Sequence, residues 1–86
     1  MYFLYILRSE KLEKYYIGIS QNPELRLQYH NTIEKGFTSR YRPWKLVFKQ
    51  EFESRNVAQQ KENMIKKWKS KEMIRKVISK EILLAD

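Results

Sequence analysis

Tyr5 and Tyr16 stand on two short β-prone runs, and a suitable hairpin register would bring their phenols together on one face. Gly18 shares that face with Tyr16 and leaves open space beside it, so Tyr16-Ile17-Gly18 reads as a substrate floor, because strand glycines often mark close approach by a ligand or backbone. Arg26 and His30 follow at i and i+4 of a helix. That spacing puts a guanidinium able to grip a phosphate bidentately beside an imidazole able to take or give a proton. Glu62 lies at the edge of a later apolar helical stripe, where a carboxylate needs a cationic partner, either a metal ion or a neighbouring Lys or Arg. Plainer readings exist for each group taken singly: a packed aromatic with a wet hydroxyl for either tyrosine, a solvated helix face for the Arg26 and His30 pair.

These side chains need elements to hold them. Tyr2 to Leu7 and Tyr15 to Ser20 are rich in aromatic and β-branched residues and flank a polar stretch, which predicts an antiparallel hairpin. Asn22, Pro23 and Glu24 have the order of an N-cap, a first-turn proline and a dipole-matched acid, so a helix is expected from about Pro23 to Asn31. Residues Thr32 to Pro43 carry Gly36, three basic side chains, Phe37 and Tyr41, a composition suited to an exposed loop facing a charged partner. A third strand, Trp44 to Phe52, is expected to set Trp44, Leu46 and Phe48 on one face and Lys45 and Lys49 on the other. Ser54 then caps a helix from Arg55 to Lys69, and Ser70 separates it from a second amphipathic helix. The order β-β-α-β-α-α predicts an α+β domain, a three-stranded antiparallel sheet flanked by helices.

The chain of 86 residues is expected to form one domain, 1–86. Cysteine is absent, which removes disulfides and thiolate chemistry together. The run Tyr2 to Leu7 is too short to span a bilayer and has no signal-peptide pattern, so no membrane partner and a cytoplasmic location are expected. The net charge of +8 favours polyanions. Residues 61 to 80 hold eight Lys or Arg against two Glu, six of those net charges, which makes this segment the expected phosphate-facing surface. Trp68, Phe37 and Tyr41 are candidate stacking groups, although core packing is the favoured reading for Trp68.

Over nearly its whole length the chain resembles the GIY-YIG endonuclease superfamily, especially its short single-domain bacterial members. Phe3-Leu4-Tyr5 stands where the GIY triplet belongs, Tyr16-Ile17-Gly18 is a literal YIG, Arg26 follows Tyr16 by ten residues and His30 by fourteen. Arg42-Pro43-Trp44-Lys45-Leu46-Val47 and the helix from Ala58 through Glu62 to Trp68 look like the second half of those short members. Phe3 in place of glycine and Ile19, where some superfamily repair nucleases carry a basic residue, are departures from the pattern.

The resemblance implies a metal-dependent DNA endonuclease, with a role in repair or recombination. Tyr5, Tyr16, Arg26, His30 and Glu62 would be catalytic, and Glu62 would also hold a Mg2+ or Mn2+ ion. Gly18, Arg40, Arg42, Lys66, Lys67 and Lys69 are the expected substrate-binding residues. Tyr16 and His30 compete for the role of general base, since a tyrosine with a reference pKa near ~10 is a weak base at neutral pH. Duplex or branched DNA is the expected partner, with a protein partner as a source of target choice. The rival reading is a noncatalytic nucleic-acid binding module on the same scaffold.

Overall fold

A computed structural model describes residues 1–33 and 35–84. Two strands come first, β1 (Tyr2–Ser9) and β2 (Tyr15–Ser20), followed by helices α1 (Pro23–Thr32) and α2 (Phe37–Arg40). Strand β3 (Trp44–Phe52) and helices α3 (Arg55–Trp68) and α4 (Lys71–Ile78) complete the order. The strands pair antiparallel in the spatial order β2-β1-β3. The expected α+β architecture is therefore present.

Central placement explains the composition of β1. A strand flanked on both edges and covered on both faces has no solvated side, so Leu4, Tyr5, Ile6 and Leu7 are all buried. The alternation of the strand divides them. Leu4 and Ile6 enter an aliphatic core with Ile17, Phe52, Ala58, Ile65, Val77 and Leu84, while Tyr5 and Leu7 turn to the other face and pack with Trp44, Tyr16, Leu27 and Leu46.

The helix boundaries follow from their caps. Asn22 Oδ1 accepts from the Leu25 N–H at 3.1 Å ahead of Pro23, Ser54 Oγ accepts from Val57 N–H at 3.3 Å, and Ser70 Oγ accepts from Met73 N–H at 3.2 Å. Lys69, at φ 48°, closes α3 in the left-handed conformation and turns the chain into α4. Trp68 packs against the aliphatic core, as favoured.

Two expectations need correction. The stretch Thr32 to Pro43 is exposed over most of its described residues, as expected, but it contains the short helix α2 and is hydrogen-bonded to its surroundings: the Trp44 indole N–H donates to the Thr38 carbonyl at 2.7 Å, and Ser9 Oγ donates to the Tyr41 carbonyl at 2.7 Å. Glu34, within that stretch, lies outside the described residues. Nor do Trp44, Leu46 and Phe48 share a face. The register jumps from Leu7 opposite Leu46 to Ile6 opposite Phe48, a bulge that takes up one extra residue at Val47 and turns the rest of β3 over. Trp44 and Leu46 pack beside Tyr5, whereas Phe48 packs with Leu4 and Ile6 on the opposite side. Lys45 and Lys49 consequently do not share a face either, and Lys49 reaches Glu24 of α1 at 2.5 Å.

Candidate active site

The hairpin register sets Tyr5 opposite Gly18 and Leu7 opposite Tyr16, so both phenols project from the same side of the sheet. Their ring centroids lie 6.3 Å apart. The space expected to be open over Gly18 is filled by these rings: a Cβ at position 18 would stand 2.7 Å from Tyr5 Oη, 2.8 Å from Tyr5 Cζ and 3.1 Å from Tyr16 Cε2. Glycine is needed here because the protein's own phenol makes the close approach.

Helix α1 lies across this face and supplies the next layer. His30 is 1% exposed, its ring 4.5 Å from that of Tyr16, and its Nε2 stands 3.2 Å from Tyr5 Oη. Arg26, one turn earlier, hydrogen-bonds the Tyr5 phenol and lies 4.7 Å over the Tyr29 ring. Burial raises the pKa of Tyr5, an effect opposed by the Arg26 hydrogen bond and reinforced by the nearby Tyr16 and Glu62. Tyr5 therefore remains a neutral phenol at physiological pH. The phenol oxygen is thus held from two sides, by the Arg26 guanidinium and by Nε2 of His30.

Two contacts not anticipated from sequence fix α1 over the sheet. Asn31 imitates a strand neighbour: its Nδ2 donates to the Trp44 carbonyl at 3.1 Å and its Oδ1 accepts from the Trp44 N–H at 2.7 Å. Arg42 Nε donates to the His30 carbonyl at 2.6 Å, so this arginine touches the backbone of a site residue. A polar residue just after His30 is too common in helix ends to have singled out Asn31.

Glu62 enters from α3. It is 8% exposed, lies within electrostatic range of Tyr5, and has both carboxylate oxygens engaged: Oε2 with Lys66 Nζ at 2.5 Å, Oε1 with Gln59 Nε2 at 3.2 Å. The i,i+4 spacing of Glu62 and Lys66 was a legible signal for that pair. Among the described residues no three His, Cys, Asp or Glu side chains gather into a cation cage. One carboxylate at the edge of a basic cleft nonetheless suits a hard divalent ion that keeps most of its water and shares the rest of its shell with a phosphate.

A cavity of about 280 Å3 runs beside the outer edge of β2, lined by Tyr16, Ile17, Lys66, Lys69, Ser70 and Lys71 among others. Tyr5, Tyr16, Arg26, His30 and Glu62 are brought together around the Tyr5 phenol, and Tyr16 alone of them lines this cavity, with Lys66 and Lys69 at its border. Lys67 is exposed on α3 without lining it, and Arg40 is exposed on α2. Phe37 and Tyr41 pack with ring centroids 5.0 Å apart and planes tilted by 55°, with Phe37 half exposed. No helix among the described residues is long and apolar enough to cross a membrane.

Fold and site together define a small α+β domain in which the Tyr5, Tyr16, His30 and Arg26 groups lie on one face of the sheet and the Glu62 carboxylate comes from α3, the helix that packs on the other. The family model described as the GIY-YIG catalytic domain matches residues 1–76, and the chain belongs to that family. It is also similar to a protein of Phaeosphaeria nodorum named structure-specific endonuclease subunit SLX1, with 42% identity over 51 residues. That match covers 54% of this chain and 14% of the relative, so the chain spans a small part of the relative's length. No solved structure matches the chain at a significant level.

Proposed function

We propose that this chain is a divalent-metal-dependent endonuclease that hydrolyses phosphodiester bonds of DNA, serving repair or recombination. The observation that carries the proposal is the grouping of Tyr5, Tyr16, Arg26, His30 and Glu62 around the Tyr5 phenol, within a chain of the GIY-YIG family. Arg26 grips the nonbridging oxygens of the scissile phosphate, for which its planar fork is suited. A magnesium or manganese ion at Glu62 would supply charge neutralisation at that phosphate. Tyr16, the phenol on the cavity, first gives its own proton to solvent and, as the phenolate, takes the proton of the attacking water, whose oxygen bonds to phosphorus as one P–O ester bond breaks and the leaving oxygen is protonated from solvent. Tyr5 and His30 form the buried layer behind Tyr16 that fixes its ring and the Arg26 head group. Lys66, Lys67 and Lys69, with Arg40 and Arg42, add salt-dependent affinity for flanking phosphates. The relative named a structure-specific endonuclease subunit supports branched DNA as the first substrate to try, and a protein partner as a source of target choice.

The test is nicking of duplex, single-stranded and branched DNA in Mg2+ or Mn2+ by the wild type, Glu62→Gln and Arg26→Ala. Loss of roughly 100-fold or more in rate in each variant, with DNA binding retained, is the expected outcome. A wild type that binds DNA in a salt-sensitive way and never cuts it, with Glu62→Gln binding equally well, would identify a binding module instead. Retained cleavage in Tyr16→Phe with loss in His30→Ala would transfer the base role to His30.

A further inference from the structure

Glu62 keeps a carboxylate in a place with little access to water, its side chain 11% exposed, and such a charge needs a cation beside it whatever the state of the site. Lys66 is that cation here. Its ammonium stands 2.5 Å from Glu62 Oε2 on the neighbouring turn of the same helix, and the side chain that carries it is 54% exposed. Lys66 also lines the cavity beside Tyr16, so the head group can leave the carboxylate and remain at the mouth of the site without entering the core. The other carboxylate oxygen is held by Gln59, which is in turn anchored to Asn63 at 3.0 Å, so the carboxylate orientation does not depend on Lys66 alone.

We propose that Lys66 is an exchangeable counter-ion, standing in for the divalent cation at Glu62 in the metal-free protein and displaced from it when the ion binds. This rests on the reading of Glu62 as the metal ligand. One positive charge replaces another at the same carboxylate, so the buried group is never left bare, and metal affinity is set by a competition internal to the chain. Lys66 is a positioning residue in this scheme, acting through Glu62. The lysine should weaken metal binding, contrary to what a residue that merely shaped the site would do.

The experiment is Mn2+ binding to the full chain without DNA, followed by calorimetry or by the loss of the free-ion spin-resonance signal, in the wild type, Glu62→Gln, Lys66→Met and Lys67→Met. Lys67→Met removes the same charge from an exposed position one residue on, so it controls for the general field. Lys66→Met should bind Mn2+ about two- to fivefold more tightly than the wild type, the range an ion pair with an exposed partner is worth, with a smaller change in Lys67→Met. Melting of the metal-free proteins should show Lys66→Met the less stable and its Mn2+-induced rise the larger. Binding that needs Glu62 but is unchanged or weakened in Lys66→Met, or tightened equally in Lys67→Met, would overturn the exchange alone. Mn2+ binding that is absent, or indifferent to Glu62→Gln, would overturn the metal reading and the exchange with it.

Discussion

The two faces of the sheet are built from the same strand to different standards. On one side, Leu4 and Ile6 meet Ala58, Ile65 and Val77, aliphatic groups that require only volume and contact. On the other, the buried surface includes Tyr5, Ser9, His30 and Thr38, whose polar atoms must find partners as well as space. The first face can be repacked with hydrophobic residues of similar size at modest cost. The second specifies identities, because Gly18, Tyr5 and His30 fit one another through a close approach and a hydrogen bond. Apart from Glu62, which α3 contributes from the aliphatic side, the groups of the candidate site lie on the second face, and substitutions on each side should part stability from chemistry.

The largest effect on stability is expected from the aliphatic face. Leu4 is fully buried, and Leu4→Ala should cost about 2–5 kcal/mol of unfolding free energy in a denaturant titration. The fraction that stays folded should still cleave DNA, since the Leu4 side chain points away from Tyr5 and Tyr16 into the aliphatic core. A specific activity per folded molecule that collapsed with stability would break the separation of the faces.

Gly18→Ala comes next and should act in the opposite proportion. A methyl group 2.7 Å from Tyr5 Oη must displace a ring that is 1% exposed, at a cost of roughly 1–3 kcal/mol. The displaced phenol would break with His30 and Arg26, so cleavage should fall far more than stability does. The Gly18→Ala, Tyr5→Phe double variant should recover part of the stability because the nearest clashing atom, the hydroxyl, is gone. No recovery would mean that the glycine is required for another contact.

Tyr5→Phe alone should cost about 1–2 kcal/mol, the range for removing a buried hydrogen-bonding group whose partners remain. Its pH dependence carries a sign that can be checked. The folded pKa of Tyr5 is raised above the ordinary 10.0, chiefly by burial, so the unfolded chain releases that proton first. The contribution is complete below pH 10.0 and is lost as pH climbs through the folded value. Melting points of the wild type should therefore fall more steeply above that pH than those of Tyr5→Phe. Parallel curves would show that the phenol is as easily ionised in the fold as outside it.

Much of this division was legible in the residues. The unbroken apolar run of β1, the Asn22-Pro23 start of α1, the Ser54 cap and the break at Ser70 fix the elements by local chemistry, and the structure has all of them, with Ser70 also capping α4. Tyr5, Tyr16, Arg26, His30 and Glu62 were likewise visible as types and spacings. The bulge in β3 was not, because an alternating pattern shows which residues are apolar and cannot show where the register takes up an extra one. The space over Gly18 was misread for a related reason: a strand glycine announces a close approach without saying by whom, and the neighbour is a residue thirteen positions earlier in the chain. The helix in the 37–40 stretch depends on Trp44 reaching its Thr38 carbonyl and Ser9 reaching the carbonyl of Tyr41 just after it, contacts with no local signature.

The smallest effect should come from the surface pair that joins the site helix to the sheet. Lys49 Nζ meets Glu24 Oε2 at 2.5 Å and holds that carboxyl below its ordinary pKa through the hydrogen bond. A depressed folded value contributes stability above the ordinary 4.5 that is lost on acidification, yet both side chains are about half exposed, and water and salt screen the pair. Glu24→Gln should therefore melt with the wild type, within error, between about pH 5 and 7 at physiological salt, and cut DNA at the same rate. Helix α1 is held instead by Pro23 and His30 buried against the sheet and by the two Asn31 hydrogen bonds to Trp44. Asn31→Ala gives the contrast, since it strips partners from two backbone groups that the fold shields from water, and it should cost about 1–3 kcal/mol and loosen His30. A Glu24→Gln variant as damaged as Asn31→Ala would mean that the polar face is positioned from its rim, and the separation between a packed layer and its solvated edge would have to be redrawn.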